Sequence, residues 1–284
     1  MIEQTLKNEN IDFNIRQNKR GEPYAGFNVF FGPEEVCFTA MLRNDQLRIF
    51  IHQVIETPAS YQLFEYINLY NEKWVIGKFY YNHETGWVEA SSTFNDSNTG
   101  TPDGQIWSRL HNLHSNLIHF RISFAQLLQG ELDSMNAGFN YFSGFDDPSA
   151  LLLREDSLLA QIEKKLRDSG LNPINKFDGH LVGALLSYEN GEKTILDFFV
   201  KDLFLVCRSY TDRTIAQDSS YIFLDRMQYF NLINDMGTIG FIPEENRYYF
   251  FQAYPILFLN LDLPFIRDCI QQNLTTHSMI SKNN

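Results

Sequence analysis

The chain has 284 residues, 44% hydrophobic and 15% aromatic, and carries a formal net charge of −12. Its length fits two domains, and 25 Phe with 14 Tyr supply apolar surface for a core in each, which excludes a disordered chain. The acidic balance repels phosphate backbones and anionic lipid, which argues against nucleic-acid and membrane-surface roles.

In chain order, a short helix is predicted over Ile2–Asn8, followed by the basic run RQNKRGE (Arg16, Lys19, Arg20), read as a turn between strands. Three strand-like runs come next, GFNVFFG, EEVCFTAML and QLRIFIHQV, split by Gly32-Pro33 and the polar RNDQ. Thr57 as N-cap and Pro58 in the first turn open a helix whose Leu63, Phe64, Ile67, Tyr70 and Trp74 recur at helical spacing. After Gly77 come a short strand, the polar turn NHETG and an aromatic strand, so the helix feeds a β-hairpin. The polar loop Asn95–Gly104 then precedes a long helix over Ile106–Leu132.

A stretch rich in Gly, Asn, Ser and Asp marks a boundary. The expected organisation is a first module over 1–133, a linker over 134–155, a second module over 156–277 and a frayed tail over 278–284. The second module opens with an amphipathic helix, Asp156–Asp168, stopped by Gly170 and Pro173. The strand-like runs HLVGALLSY, KTILDFFV and DLFLVCRSY follow. A helix after Asp218-Ser219-Ser220, with Phe223, Met227, Phe230 and Ile233 on one face, leads into a second hairpin around PEENR. A short helix over Pro264–Leu274 closes the module.

The two halves therefore share one element order, α-β-β-β-α-β-β-α, and they share residues as well. NLYNEKWVIGKFYYNHETGWVEA from Asn68 and NLINDMGTIGFIPEENRYYFFQA from Asn231 align without a gap at an offset of 163 (231 − 68). This alignment pairs Asn68 with Asn231, Asn71 with Asn234, Gly77 with Gly240, and Ala90 with Ala253. An asparagine near a helix end and a glycine at a hairpin entrance serve turn chemistry, so the reading of these positions is structural.

That element order resembles the type III secretion chaperone-like fold. The hairpin, with Asn68, Asn71, Gly77, Lys78, Phe79, Tyr80 and Gly86, resembles the YbjN family. Asn231, Asn234 and Gly240 fit in the second copy, where Phe241 stands in place of the lysine and the turn glycine is missing. The resemblance implies an α+β protein of two tandem YbjN-like modules, each an antiparallel sheet flanked by helices, forming a pseudo-dimeric monomer or a weak homodimer. It also implies a bacterial regulator that binds a protein or peptide partner, and it supplies no catalytic residues.

The chemistry visible in the sequence agrees with a non-enzymatic protein. Cys37, Cys207 and Cys269 sit far apart in apolar runs, which reads as buried reduced thiols rather than a disulfide framework or zinc site. His111, His114 and His119 share the long helix without carboxylates of matching spacing, so they read as packed or solvated side chains and no metal is expected. The loop from Asp96 fails as a calcium site because Trp107 stands at its twelfth position. GxSxG, Walker A and GxGxxG patterns are missing, and no cofactor is expected. With no leader and no spanning stretch visible, the expected location is cytoplasmic. The expected function is a chaperone-like adaptor or regulator that docks a polypeptide on its aromatic hairpins. The alternative is a small-molecule sensor with a pocket between the modules.

Overall fold

The computed structural model describes residues 2–8, 10–18, 21–43, 46–74, 77–95, 105–131, 148–176, 181–187, 193–201, 204–211, 220–234, 237–242, 245, 247–255 and 261–282. The expected linker up to residue 147, Lys19, Arg20 and the loop from Asp96 lie outside these residues. The chain is α+β and divides into two compact units, Met1–Phe139 with Asn231–Asp235, and Asn140–Phe230 with Met236–Asn284.

The first unit runs α1 (Ile2–Asn8), β1 (Asn14–Gln17), β2 (Pro23–Phe31), β3 (Glu34–Arg43), β4 (Gln46–Glu56), α2 (Tyr61–Lys73), β5 (Lys78–Asn82), β6 (Trp87–Asn95) and α3 (Gln105–Leu128). Its strands form one antiparallel sheet in the order β1-β2-β3-β4-β6-β5. Alternation decides which face is covered: Ala25, Phe27 and Val29 of β2 and Val36, Phe38 and Ala40 of β3 are buried, while Asn28, Phe30, Glu35 and Cys37 are exposed. Helices α2 and α3 pack on the buried face through an aromatic cluster. Phe79 of β5 stacks on Phe120 at 4.1 Å, Tyr70 and Trp74 close round it, and the Trp74 indole N–H donates to Asn112 Oδ1 at 2.8 Å.

The second copy repeats the plan with α4 (Pro148–Asp168), β7 (Pro173–Lys176), β8 (Leu181–Ser187), β9 (Lys193–Lys201), β10 (Phe204–Tyr210), α5 (Ser220–Ile233, its end from Asn231 counted with the first unit), β11 (Thr238–Ile242), β12 (Arg247–Pro255) and α6 (Leu263–Lys282). Its antiparallel sheet has the equivalent order β11-β12-β10-β9-β8-β7. Its core joins Leu159, Ile162 and Leu166 of α4 to Val182, Leu196, Phe198, Leu205 and Cys207 of the sheet, and to Phe265, Ile266 and Cys269 of α6.

Several expectations are corrected. Each copy has an additional short strand, β1 or β7, which four residues are too few to announce by alternation. Helix α2 starts at Tyr61 with Ser60 as N-cap, its Oγ accepting from the Leu63 N–H at 3.1 Å. Thr57 instead prolongs β4 along β6, donating its N–H to the Gly86 carbonyl. Helix α3 stops at Leu128, short of 132, because Gly130 adopts φ 73° and closes a Schellman motif: its N–H reaches Leu127 O, and the Glu131 N–H reaches Gln126 O. Helix α4 begins at Pro148, inside the expected linker. Helix α6 continues through Lys282, where a frayed tail was expected, because Thr276, His277 and Ile280 prolong its buried face. Cys37 is exposed, since its phase on β3 turns it away from the helices, while Cys207 and Cys269 are buried.

One irregularity shapes the first sheet. The register of β4 against β6 slips between Ile51 and Ile55, freeing backbone carbonyls at the bulge. Arg121 of α3 takes them up: its Nε donates to Val54 O at 2.8 Å and its Nη2 to Gln53 O at 3.3 Å. Glu34 holds the same guanidinium at 3.2 Å and His114 at 3.0 Å.

Candidate binding groove

The repeat residues singled out in the sequence are buried, apart from the half-buried Ala253, and the strand registers change their equivalence. Phe79 pairs with Ala90 in the first hairpin, and Ile239 pairs with Phe250 in the second. Strand β11 therefore matches β5 at an offset of 160 (238 − 78), and β12 matches β6 at the same offset (247 − 87). On this register the partner of Asn71 is Asn231, not Asn234, and the partner of Gly77 is Gly237, not Gly240. Ala253 matches Thr93 and faces Val206, while Ala90 faces Ile51.

The corrected pairs share physical roles. A Cβ on Gly77 would meet the Ser91 carbonyl at 2.8 Å, and one on Gly237 would meet the carbonyl of Phe251, the residue matching Ser91. Asn71 does not cap a turn. Its Nδ2 donates to Phe79 O at 2.8 Å and its Oδ1 accepts the Phe79 N–H at 2.7 Å, so one amide side chain completes the ladder on the outer edge of β5. Asn231 is equally buried. Asn68 and Asn234 are buried too. Nor do the aromatic hairpins form a surface: Phe79, Tyr80, Tyr81, Tyr248, Tyr249, Phe250 and Phe251 are all buried.

Two polar clusters escaped the sequence reading because their members are far apart in the chain. On the sheet of the first unit, the Arg48 guanidinium lies 4.5 Å from the Phe50 ring and donates to Ser91 Oγ at 3.3 Å. Glu89 accepts from Asn82 at 2.9 Å and lies 3.4 Å from His52 Nδ1. Burial there pushes the Tyr80 hydroxyl well above its ordinary pKa, with Arg48 pulling less strongly the other way. In the second unit, Ser209 Oγ lies 2.7 Å from His277 Nε2 and donates to Asn273 Oδ1 at 2.5 Å. Asn273 in turn donates to Cys269 O at 2.7 Å and reaches Cys207 Sγ at 3.5 Å. A serine beside a histidine is the geometry of an activated nucleophile, but Ser209, Asn273 and His277 are all buried, so the arrangement serves packing. Burial also raises the Cys207 thiol pKa, keeping it protonated and unreactive.

The open ground lies on the uncovered face of the first sheet. A groove of about 660 Å³ runs over β1, β2 and β3, lined by Asp12, Asn14 and Arg16, by Tyr24, Gly26, Asn28 and Phe30, and by Cys37 and Thr39. Phe30 at its rim is 69% exposed. At its floor, Gly26 pairs with Asn14 on one side and Thr39 on the other, in unbroken register. Its φ is not in the left-handed region, and a Cβ there would meet nothing within 4 Å. Nothing among the described residues requires a glycine at this point.

The second unit supplies the contrast. Following the register outward from the hairpin, the residue matching Gly26 is Gly183, which pairs with Asp197 as Gly26 pairs with Thr39. There a Cβ would meet Asp197 Oδ1 at 2.8 Å. The same glycine is open in one unit and covered in the other.

No family model, curated protein or solved structure matches the chain. Among the described residues, no helix is long and apolar enough to cross a membrane, and no group of three or more His, Cys, Asp or Glu side chains is placed to hold a metal ion.

Proposed function

We propose that the chain is a non-enzymatic polypeptide-binding protein, an adaptor or regulator, and that it takes an extended segment into the groove over β1–β3. The observation that carries this reading is Gly26. A glycine inside a strand costs about 0.5–1 kcal/mol relative to alanine, and it marks a bulge, a bend or a place where another group approaches the backbone. The unbroken register removes the first two explanations. The lining suits a peptide: Asn14, Asn28 and Thr39 offer donors and acceptors to a main chain, Tyr24 and Phe30 offer aromatic surface, and Arg16 offers a partner for a carboxylate. This is the role that the YbjN-like resemblance implies, moved from the hairpins to the open sheet.

The test uses Cys37, the one exposed thiol of the three. The protein is labelled there with a benzophenone maleimide and irradiated in its native lysate. The expected result is a discrete cross-linked polypeptide that is lost in Gly26→Val. The same substitution should leave the fold intact or stabilise it by about 1 kcal/mol, since valine suits a strand and its Cβ meets open space. Cross-linking unchanged by Gly26→Val would refute the site. Protection of Cys37 from alkylation by a metabolite fraction, without a polypeptide adduct, would turn the reading to a small ligand.

A further inference from the structure

The uncovered edge of β1 carries a second inference, which shares Asp12 and Arg16 with the groove but is argued from the backbone groups of the strand's edge. The sheet of the first unit has two edges. The β5 edge is buried over Lys78–Tyr81, and Asn71 occupies its outward groups at Phe79. All four residues of β1 are exposed.

The hairpin fixes which backbone groups β1 presents. Asn18 donates its N–H to Glu22 O at 3.0 Å and accepts from the Gly21 N–H at 2.9 Å, with Gly21 at φ 78°. Antiparallel pairs alternate between bonded and non-bonded, so Arg16 opposite Tyr24 and Asn14 opposite Gly26 bond inward. Pro23, which has no N–H to give, falls opposite Gln17 at a non-bonded position. Ile15 and Gln17 therefore turn their N–H and C=O groups to the free edge, and Phe13 does so if the strand is prolonged by two residues.

We propose that this edge pairs antiparallel with the same edge of a second copy of the chain, about a dyad at Asn14. The sequence is self-complementary in that register. Phe13 falls opposite the second copy's Ile15, both at outward-bonding positions, which makes an aromatic to β-branched pair on each side of the dyad. Asp12 falls opposite the second copy's Arg16, and Arg16 opposite its Asp12, giving two cross-strand ion pairs on one face. Asp12 and Arg16 are both exposed, and neither forms an ion pair with a described residue of its own chain. Shifting the dyad to Ile15 would set Arg16 against Asn14 and lose both ion pairs, so charge selects the register. A twofold contact of this kind is isologous and closes at a dimer. The two ion pairs also supply local attraction between chains whose net charge of −12 otherwise repels.

Sedimentation velocity on the full chain over a concentration series tests the pairing, with Asp12→Arg and Arg16→Asp as variants. Each variant alone sets like charges opposite each other twice and is expected to weaken dimerisation at least about tenfold. An equimolar mixture of the two variants sets opposite charges across every pair and should restore the dimer as a heterodimer. Gly26→Val, which leaves the edge untouched, should dimerise like the wild type, so failure of the groove reading and failure of this one are separable. A wild type that stays monomeric throughout, or variants that dimerise normally, or a mixture that stays monomeric would each overturn the proposal.

Discussion

Replacing Gly237 by alanine is expected to destabilise the second unit by at least about 3 kcal/mol, a large part of the 5–15 kcal/mol that holds a typical domain together. Two costs add. Gly237 sits at φ 59°, where a side chain is strained, and its Cβ would run into the Phe251 carbonyl, the Gln252 side chain and the Phe250 ring. The carbonyl is backbone inside the β11–β12 hairpin and cannot step aside without breaking the ladder. Urea unfolding separates the units because Trp74, Trp87 and Trp107, all the tryptophans of the chain, lie in the first. The far-UV circular dichroism transition should move to lower urea in Gly237→Ala, with a smaller shift in tryptophan fluorescence. A variant as stable as the wild type would mean that the hairpin relaxes around the methyl group and that the matched glycines are not required.

The second large effect is expected at Asn71. In Asn71→Ala the Phe79 N–H and C=O stay buried and lose both partners, at about 1–3 kcal/mol each. Trp74 lies 4.8 Å from the Phe79 ring, so its fluorescence reports this loss directly. Asn71→Asp removes the donor and leaves a carboxylate in a buried position, and it should be no better. Asn231→Ala is the internal control. If the register equivalence is functional, it destabilises the second hairpin by a similar amount, read by circular dichroism. An Asn231→Ala protein indistinguishable from wild type would separate the two asparagines in role, whatever their position.

The sequence carried the fold further than the site, and the reasons are local. Alternation along EEVCFTAML and KTILDFFV was legible because one face of each strand is buried and the rest of the pattern follows. Strands β1 and β7 were not, since each is only four residues long and β1, exposed throughout, has no apolar phase to read. The repeat was visible, but its offset was ambiguous for a specific reason. The second copy carries Asn231 and Asn234 three residues apart, and Gly237 and Gly240 three residues apart as well. Offsets of 160 and 163 therefore both align an asparagine and a glycine with Asn71 and Gly77, and only the hydrogen-bond register chooses between them. The groove had no signature at all. Gly26 opens a run that reads as an ordinary strand, and its meaning depends on the open space above it, which no spacing reports. The polar clusters were hidden likewise, Ser209 and His277 being 68 residues apart.

The pair Gly26 and Gly183 has a consequence for stoichiometry. Duplication of a module ordinarily doubles its binding sites, so two equivalents of ligand per chain would be the natural count. Here the Asp197 carboxylate stands over Gly183 where an incoming backbone would have to lie. On the groove reading proposed above, the second copy carries its own plug, and the expected saturation is one segment per chain rather than two, with the other copy kept as a permanently filled companion.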